Sequence, residues 1–285
     1  AVATGFGLHP LFGVLAGSTT LTGGPATGLA FAPLFERAGV AGAESIAVAS
    51  AMAGIVCGGL LGGPVATLLI RRFGLTSIRP DDHRAPADSP VLPASSEAER
   101  EYSALKSIVV ILVAMWLGAW VSKAISATGI TLPAYVGAML VGAVVRNLDD
   151  RTHLIGLSVP TTELIGNVCL SLFLAVALMN LKLWELAGLA LPLLVNLGLQ
   201  ALLVTAFCAV VFRAMGRDYD AAVMGGGFIG FMLGTTANAM AVMRTLVERY
   251  GAAPRAFLVA PLVGAFFIDF TNALIITGFI NLWPH

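Results

Sequence analysis

Long uncharged stretches constrain this chain of 285 residues more than any other feature of its sequence. Residues 45–70, 107–122, 186–212 and 256–268 contain no Asp, Glu, Lys or Arg. A helix that crosses the hydrocarbon core of a bilayer needs about 20 predominantly apolar residues. Only 11% of the chain is charged, against about 25% in soluble domains. The sequence therefore predicts an all-α polytopic membrane protein, and its formal net charge of zero indicates no nucleic-acid partner.

The alternation of apolar and polar stretches predicts the order of the spans. A first complete span is expected at residues 44–70. The polar segment that follows, residues 71–103, has five arginines, six acidic residues and four prolines, a composition typical of a linker outside the membrane. After it, we expect spans at about residues 104–125, 132–147, 160–181, 186–212 and 255–282.

One apolar region is interrupted by glycines and uncharged polar side chains. It is residues 225–239, which read Gly-Gly-Gly-Phe-Ile-Gly-Phe-Met-Leu-Gly-Thr-Thr-Ala-Asn-Ala. Backbone groups freed by a helix break need partners, so broken segments persist in a membrane only inside protein or beside a water-filled cavity. We therefore predict a re-entrant hairpin at residues 221–243, with its tip in this region.

Residues 16–30 form a weaker copy of that region and predict a second re-entrant hairpin at about residues 11–42. Gly7, Val14 and Gly17 match Gly216, Val223 and Gly226 at one constant spacing. Such self-similarity indicates an internal repeat. We assign residues 1–70 to the C-terminal part of a first inverted repeat, incomplete in this chain, and residues 104–285 to a second. Inverted-repeat transporters bind their ligands near the midplane, at broken helices.

The distribution of basic residues predicts the orientation of the chain. With these spans and hairpins, thirteen of the sixteen Lys and Arg residues lie on one side, and Arg37, Lys123 and Lys182 lie on the other. Basic residues accumulate on the cytoplasmic side of membrane proteins. The linker at 71–103 is thus expected in the cytoplasm and the C-terminus on the periplasmic or extracellular side. The two hairpins then enter a plasma (inner) membrane from opposite faces.

A hairpin tip joins two half-helices whose ends suit different ligands. The C-terminal end of one offers free carbonyls to a cation such as Na⁺, and the N-terminal end of the next offers N–H groups to a carboxylate. Hydroxyl groups are added by Ser18, Thr19, Thr20, Thr22 and Thr27 at one tip, and Pro25 fits the first turn of the returning half-helix. The predicted substrate-binding residues are Ser18, Thr20, Thr22, Gly23, Gly24, Thr27, Gly234, Thr235, Thr236 and Asn238.

A few other polar residues fall within predicted spans. Asp269 and Asn272 lie three apart, and Asn167 and Ser171 lie four apart, so each pair shares one helix face. We predict that these four residues bind Na⁺. Helix capping or interhelical hydrogen bonding is the alternative for Asp269, and likewise for Asn167 and Ser171. Asn196 and Gln200 are expected to make interhelical hydrogen bonds. Cys57, Cys169 and Cys208 are scattered in apolar runs, so neither a disulfide nor a transition-metal site is predicted.

Four runs resemble the bacterial glutamate:sodium symporter family. Residues 17–24 read Gly-Ser-Thr-Thr-Leu-Thr-Gly-Gly, residues 215–223 read Met-Gly-Arg-Asp-Tyr-Asp-Ala-Ala-Val, and residues 263–269 read Val-Gly-Ala-Phe-Phe-Ile-Asp. Residues 166–187 read Gly-Asn-Val-Cys-Leu-Ser-Leu-Phe-Leu-Ala-Val-Ala-Leu-Met-Asn-Leu-Lys-Leu-Trp-Glu-Leu-Ala.

This resemblance implies Na⁺-coupled symport of glutamate into the cell by alternating access, with Na⁺ as the coupling ion and no cofactor. It implies two inverted repeats of five spans, each with a re-entrant loop, and a homodimer. It also implies about four further spans before Ala1.

The tips depart from the family pattern at Pro25, Ala26, Met232, Ala237 and Asn238. These departures leave another amino acid, dicarboxylate or small carboxylate as the alternative substrate. An intramembrane enzyme is a weaker hypothesis, because the predicted spans contain no His, nucleophile–base pair or carboxylate pair. A channel is the third, although the repeated Asn-Pro-Ala tips of water channels are missing.

Overall fold

The computed structural model describes residues 2–78, 97–127, 134–179 and 182–282. These residues form helices, turns and loops, with no β-strand among them. The α-helices are α1 Val2–Gly5, α2 Pro10–Val14, α3 Gly24–Arg37, α4 Ala43–Phe73, α5 Glu97–Ser126, α6 Ala134–Thr152, α7 Val159–Met179, α8 Leu183–Leu186, α9 Ala190–Ala214, α10 Tyr219–Met232, α11 Thr236–Tyr250, α12 Pro254–Leu262 and α13 Asp269–Leu282. Two π-helical segments, Leu15–Thr19 and Val263–Ile268, lie between α2 and α3 and between α12 and α13.

Within the described residues, four helical stretches are long and apolar enough to cross a membrane. They are Ala43–Phe73, Ala98–Ser126, Val159–Met179 and Ala187–Ala214. The prediction of an all-α polytopic membrane protein is confirmed at this level.

Two helical regions differ markedly from the spans that the apolar stretches predict. Helix α5 begins at Glu97, inside the segment predicted as linker, because residues 97–106 are rich in Glu, Ala, Arg and Lys, which favour helix. The stretch predicted as a span at 255–282 is divided into α12, the segment Val263–Ile268 and α13. Pro261 lacks the N–H that would continue the regular hydrogen-bond ladder there.

The chain forms two compact units. The first unit combines Ala1–Pro86 with Asn180–His285, and the second unit is Ala87–Met179. These two units are defined by the contacts within each of them. The division into two repeats joined by a linker at residues 71–103 is a separate proposal and stays a prediction.

In the first unit, α10 and α11 fold back on each other and form what we call the second helix pair, residues 219–250. A Cβ built on Gly230 would lie 3.1 Å from Ala239 Cα, and one built on Gly227 would lie 2.5 Å from Met243 Sδ. Gly230 and Ala239 are close to the turn, whereas Gly227 and Met243 are further from it on either side. The two helices are therefore antiparallel. Glycine permits this close approach of two backbones.

Helices α2 and α3 with the segment Leu15–Thr19 form the first helix pair, residues 10–37. A Cβ on Gly28 would lie 2.8 Å from Thr20 Cγ2, and one on Gly39, just beyond α3, would lie 3.9 Å from the ring of His9. The chain therefore folds back here as well. It turns between Thr20 and Gly23, and α3 begins at Gly24 with a φ of +70°.

Helix α4 presents one face of small residues to both pairs. A Cβ on Gly54 would meet Leu21 of the first pair and the Leu233 carbonyl of the second. One on Gly62 would lie 2.8 Å from the Gly226 carbonyl of α10. Gly54 and Gly62 therefore serve helix packing, since small residues four or eight apart let helices approach closely.

Side-chain hydrogen bonds join the two ends of the second helix pair that lie away from its break. Asp218 caps α10 by accepting from the Ala221 N–H at 2.8 Å, and Tyr219 donates its hydroxyl to the Gly251 carbonyl at 2.6 Å. Asp220 accepts from the Ala256 N–H of α12 at 3.0 Å. A buried apolar cluster that includes Val223, Met243, Leu246 and Phe257 lies beneath these contacts. The start of α10 is thereby connected to the end of α11 and to the start of α12.

In the second unit, α5 packs closely on α6. A Cβ on Gly118 would overlap the backbone of Ala138, and the Gly137 N–H donates to Ser122 Oγ at 3.1 Å. Helix α7 contacts α5. The connection between α6 and α7 wraps around Asp149, whose carboxylate accepts from the N–H groups of Ile155, Gly156 and Leu157 at 2.7–2.8 Å.

Candidate functional site

The breaks in the two helix pairs contact each other. We call residues 15–23 the first break and residues 233–235 the second break. A Cβ built on Gly24, which directly follows the first break, would lie 2.6 Å from Thr235 Cγ2 of the second. The two regions predicted to bind substrate are therefore adjacent, although about 210 residues of sequence separate them.

The first break distorts the chain over several residues. Gly17 has φ −118° and ψ −123°, outside the helical region, within the segment Leu15–Thr19. Thr20 Oγ1 donates to the Leu15 carbonyl at 2.8 Å and so satisfies one acceptor that the break frees. This predicted substrate ligand is therefore engaged with its own backbone, as Thr side chains in helices frequently are.

Amide side chains from two other helices reach the carbonyls of the first break. Asn196 Nδ2 donates to the Ala16 carbonyl at 2.8 Å, and Gln200 Nε2 donates to the same oxygen at 3.3 Å. Asn272 Nδ2 donates to the Ser18 carbonyl at 3.1 Å. The expected interhelical hydrogen bonds of Asn196 and Gln200 are thus present. The sequence does not identify the Ala16 carbonyl as their acceptor, because α9 is about 180 residues away and no local pattern relates the two regions.

The second break is stabilised by Asn238. Its Nδ2 atom donates to the Gly230 carbonyl at 3.1 Å, which bridges α10 and α11, and to the Ile55 carbonyl of α4 at 3.2 Å. A Cβ on Gly234 would lie 2.5 Å from the same nitrogen. Asn238, predicted as a substrate ligand, thus has its amide nitrogen committed to backbone, and only its carbonyl oxygen is left for other contacts.

The two contacting breaks each end in the start of a helix without a side-chain cap. Thr235 is the N-cap of α11 in extended conformation and makes no capping hydrogen bond through its side chain. Gly23 is the N-cap of α3, and Pro25 occupies the first turn, as predicted. Uncapped helix starts present free N–H groups and a partial positive charge. The arrangement suits an anionic group.

Several hydroxyl groups lie around this contact. Thr22 is buried, and Ser18, Thr27 and Thr236 are half-buried. Gly23 packs on the side chain of Thr27, with 2.6 Å from a built Cβ to Thr27 Cβ.

Thr19 belongs to the same run of hydroxyl-bearing residues, but it is not one of the predicted substrate or cation ligands. It is fully buried, and its Oγ1 has no hydrogen-bond partner among the described residues.

The segment Val263–Ile268 lies against the second break. A Cβ on Gly264 would lie 3.0 Å from Thr236 Oγ1 and 3.0 Å from the ring of Phe231. π-Helical distortions often occur at functional sites. Asp269 follows directly as the first residue of α13, but its side chain lies outside the described part of the structure. Asn272, one turn further, is 6% exposed and contacts the first break.

The remaining two predicted cation ligands belong to the second unit. Asn167 and Ser171 are exposed on α7, and Ser171 Oγ donates to the Asn167 carbonyl at 2.8 Å. A role for them in Na⁺ binding stays a prediction.

Comparisons with known proteins agree with the sequence resemblance. The family model described as "Sodium/glutamate symporter" matches residues 1–252. The sodium/glutamate symporters of Escherichia coli K12 and Shigella flexneri are each 41% identical over 283 residues, which cover 99% of this chain and 70% of theirs. That of Haemophilus influenzae is 39% identical over 282 residues, 97% of this chain and 69% of its own. No solved structure matches the chain.

Proposed function

Because this chain belongs to the sodium/glutamate symporter family, we propose that it couples Na⁺ entry to the uptake of glutamate by alternating access. The observation that supports this most directly is the contact between the starts of α3 and α11, at Gly24 and Thr235. Residues 15–24 and 233–236 contain no charged side chain. Helix starts are then the local source of positive potential for an anionic substrate.

Glutamate carries two carboxylates, and the contact brings two helix starts together. In our proposal each helix start binds one carboxylate through its free N–H groups. The hydroxyls of Ser18, Thr22, Thr27 and Thr236 donate further hydrogen bonds. Gly23, Gly24 and Gly234 pack closely on Thr27, Thr235 and Asn238, so that the two helix starts lie near each other. Thr20 and Asn238 shape the two breaks, since their donor groups are engaged with backbone carbonyls.

A cation beside the first break would offset the charge of the substrate. Oxygen atoms of the break, together with the free hydroxyl of Thr19, supply the ligands that Na⁺ uses at broken helices. Asp269 and Asn272 are proposed to complete this cation site from α13, since Asn272 already contacts the Ser18 carbonyl. The side-chain oxygen of Asn272 remains available after its nitrogen has donated.

We further propose that the two helix pairs are re-entrant and related as inverted repeats. Matching features support this. Gly7 and Gly216, both with positive φ, precede the pairs by the same spacing, and Gly39 and Gly251, also with positive φ, follow them. A side-chain cap begins each pair, at His9 and at Asp218.

The protein is a membrane protein, and we place it in the plasma membrane. The excess of basic residues on one side supports a cytoplasmic linker and an external C-terminus. A homodimer is proposed from the family resemblance.

Uptake of labelled glutamate into proteoliposomes tests the function. An inward Na⁺ gradient should accelerate uptake strongly, an equal K⁺ gradient should not, and counterflow should be seen with unlabelled glutamate. Competition with aspartate and with dicarboxylates that lack an amino group separates glutamate from the alternative substrates. Uptake that is indifferent to both Na⁺ and H⁺ gradients would disprove the coupling.

A further inference from the structure

The second unit contains a cavity that the transport mechanism above does not use. Its volume is about 410 Å³, within the range of about 300–1,000 Å³ that is usual for small-molecule sites. It lies between α5, α6 and α7, and the described residues that line it belong to the second unit.

The lining of the cavity is polar at one end and apolar at the other. Ser107, Arg146 and Glu163 line it near the start of α5, the end of α6 and the start of α7, respectively. Those three helix ends lie on the same side of the unit, because α6 and α7 are joined by a short connection and α5 runs antiparallel to α6. Deeper along α5 and α6, Ala114 and Gly142 line the cavity with other small or aliphatic residues.

Ser107 is a buried polar residue of this lining whose hydroxyl has no protein partner among the described residues. The residue is 1% exposed, and its Oγ has no hydrogen bond among the described residues. A buried hydroxyl without a partner is costly, and native proteins usually satisfy it with a ligand or water. The position of Ser107 at the wall of the cavity indicates an acceptor inside.

The wall at the polar end is held in place by the protein itself. Arg146 Nη1 donates to the Leu157 carbonyl at 3.1 Å, and the Leu157 N–H donates to Asp149 Oδ2 at 2.7 Å. Lys106 donates to the Ile155 carbonyl of the same connection. Of the five hydrogen bonds that charged side chains make with this connection, two are donated by Lys106 and Arg146 and three are accepted by Asp149, so the wall of the cavity is preformed.

We propose that this cavity binds a membrane phospholipid with a primary-ammonium headgroup, of the phosphoethanolamine type. One acyl chain occupies the apolar end between α5 and α6. The phosphate accepts from Arg146 and from the free hydroxyl of Ser107. The ammonium group lies beside the exposed carboxylate of Glu163. Arg146 also pairs with Asp150 at 2.7 Å, so the phosphate shares this guanidinium with Asp150. Among the described lining residues, Arg146 and Glu163 thus each lie beside an opposite charge of the zwitterionic headgroup.

The phospholipid that stays bound to the purified protein tests this proposal. The protein is exchanged into detergent with equimolar phosphatidylethanolamine, phosphatidylcholine and phosphatidylglycerol of identical chains, and retained lipid is measured by native mass spectrometry. The wild-type protein should retain phosphatidylethanolamine in preference to the other two. Equal retention of all three lipids, or a preference for phosphatidylglycerol, would overturn the proposal.

A pair of matched variants separates the cavity from other lipid contacts. Gly142 lines the cavity, and a Cβ there would meet no atom within 4 Å, so Gly142→Leu should fill the space without strain and abolish the retained lipid. Gly166 on α7 has the same free surroundings but does not line the cavity, so Gly166→Leu should retain lipid as the wild type does. Retention by Gly142→Leu at the wild-type level would refute the site.

The headgroup assignment has its own variant. Glu163→Gln should remove the preference for phosphatidylethanolamine over phosphatidylcholine and leave total retention similar, because the acyl-chain cavity is unchanged. A persisting preference in Glu163→Gln would show that Glu163 does not bind the ammonium group. Melting temperatures of all variants in lipid-free detergent confirm folding independently of lipid and of transport.

Discussion

At the scale of single residues, amide side chains do more to hold the two breaks than hydroxyls do. Asn196 and Asn272 bind carbonyls of the first break, and Asn238 binds carbonyls on both sides of the second. A threonine in the same places could donate once and would bond to its own helix. An amide can reach a neighbouring helix, which is how a broken backbone inside a membrane obtains its partners.

Asn238→Ala should destabilise the protein by about 1–3 kcal/mol, because the carbonyls of Gly230 and Ile55 lose their shared donor. Glutamate uptake should fall together with the melting temperature. Asn147→Ala is the control, since Asn147 is exposed and donates only to Ala143 of its own helix. If both variants melt at the wild-type temperature, Asn238 does not hold the second break.

Asp269→Asn should weaken the apparent Na⁺ affinity of transport by about tenfold or more, equivalent to roughly 1.4 kcal/mol or more. The substitution removes a negative charge at the first residue of α13, which is where we place the cation. Na⁺ dependence of uptake at fixed glutamate measures it. Cys169→Ser, an exposed position on α7, should transport normally, and an unchanged Na⁺ affinity in Asp269→Asn would remove this residue from the site.

Asp149 provides a pH-dependent prediction in the second unit, beyond the predicted span at 132–147. The N–H of Leu157 is the main cause that lowers the pKa of the Asp149 carboxyl, with smaller contributions from Gly156, Ile155 and the charge of Arg146, while burial opposes them. A lowered pKa in the folded state stabilises the protein above the unfolded pKa of about 3.9. That stability is lost as the pH falls through the folded value.

Asp149→Asn should therefore melt below the wild type at neutral pH, and the difference should shrink as the pH falls below about 4. Melting temperatures in detergent between pH 3 and pH 7 measure this. Asp150→Asn should change little, because its ion pair with Arg146 is exposed and such pairs contribute about 0–1 kcal/mol. A constant gap between Asp149→Asn and the wild type across this range would contradict the pKa argument.

At the scale of helices, the face of α4 decides how closely the two pairs approach. Gly62 meets the Gly226 carbonyl of α10, whereas Gly63, the next residue, meets no atom within 4 Å. Gly62→Ala should therefore separate α4 from α10 and reduce both stability and transport. Gly63→Ala should leave packing intact and add about 0.5–1 kcal/mol, because Ala favours helix over Gly. Equal melting temperatures for the two variants would mean that α4 does not pack through this face.

The sequence predicted the helical elements better than their contacts. Uncharged stretches marked the long helices, and the glycine-rich regions marked both breaks, since backbone conformation and burial there depend on local composition. The contact of Gly24 with Thr235 and the hydrogen bond of Asn272 to the Ser18 carbonyl join distant residues. No local pattern encodes them. The early start of α5 at Glu97 was missed because charged helix formers resemble a polar linker in hydropathy.

At the scale of the whole molecule, the proposed inverted repeat makes a prediction about sidedness. Arg37 ends the first helix pair and Arg249 lies near the end of the second. In a background with the three native cysteines replaced, a cysteine at residue 37 should react with an impermeant maleimide from outside intact cells. A cysteine at residue 249 should react only after the membrane is permeabilised. Labelling of both from the same side would exclude hairpins that enter from opposite faces.

The contact between Gly24 and Thr235 also bears on how the proposed symporter limits the passage of ions without substrate. Gly24 has no side chain that could rotate aside, so in the proposed mechanism we expect the two helix starts to separate mainly by movement of α3 and α11. If ions pass only when these helices move together with bound substrate, an ion alone does not cross, and we expect the proposed symporter to keep the gradient from running down.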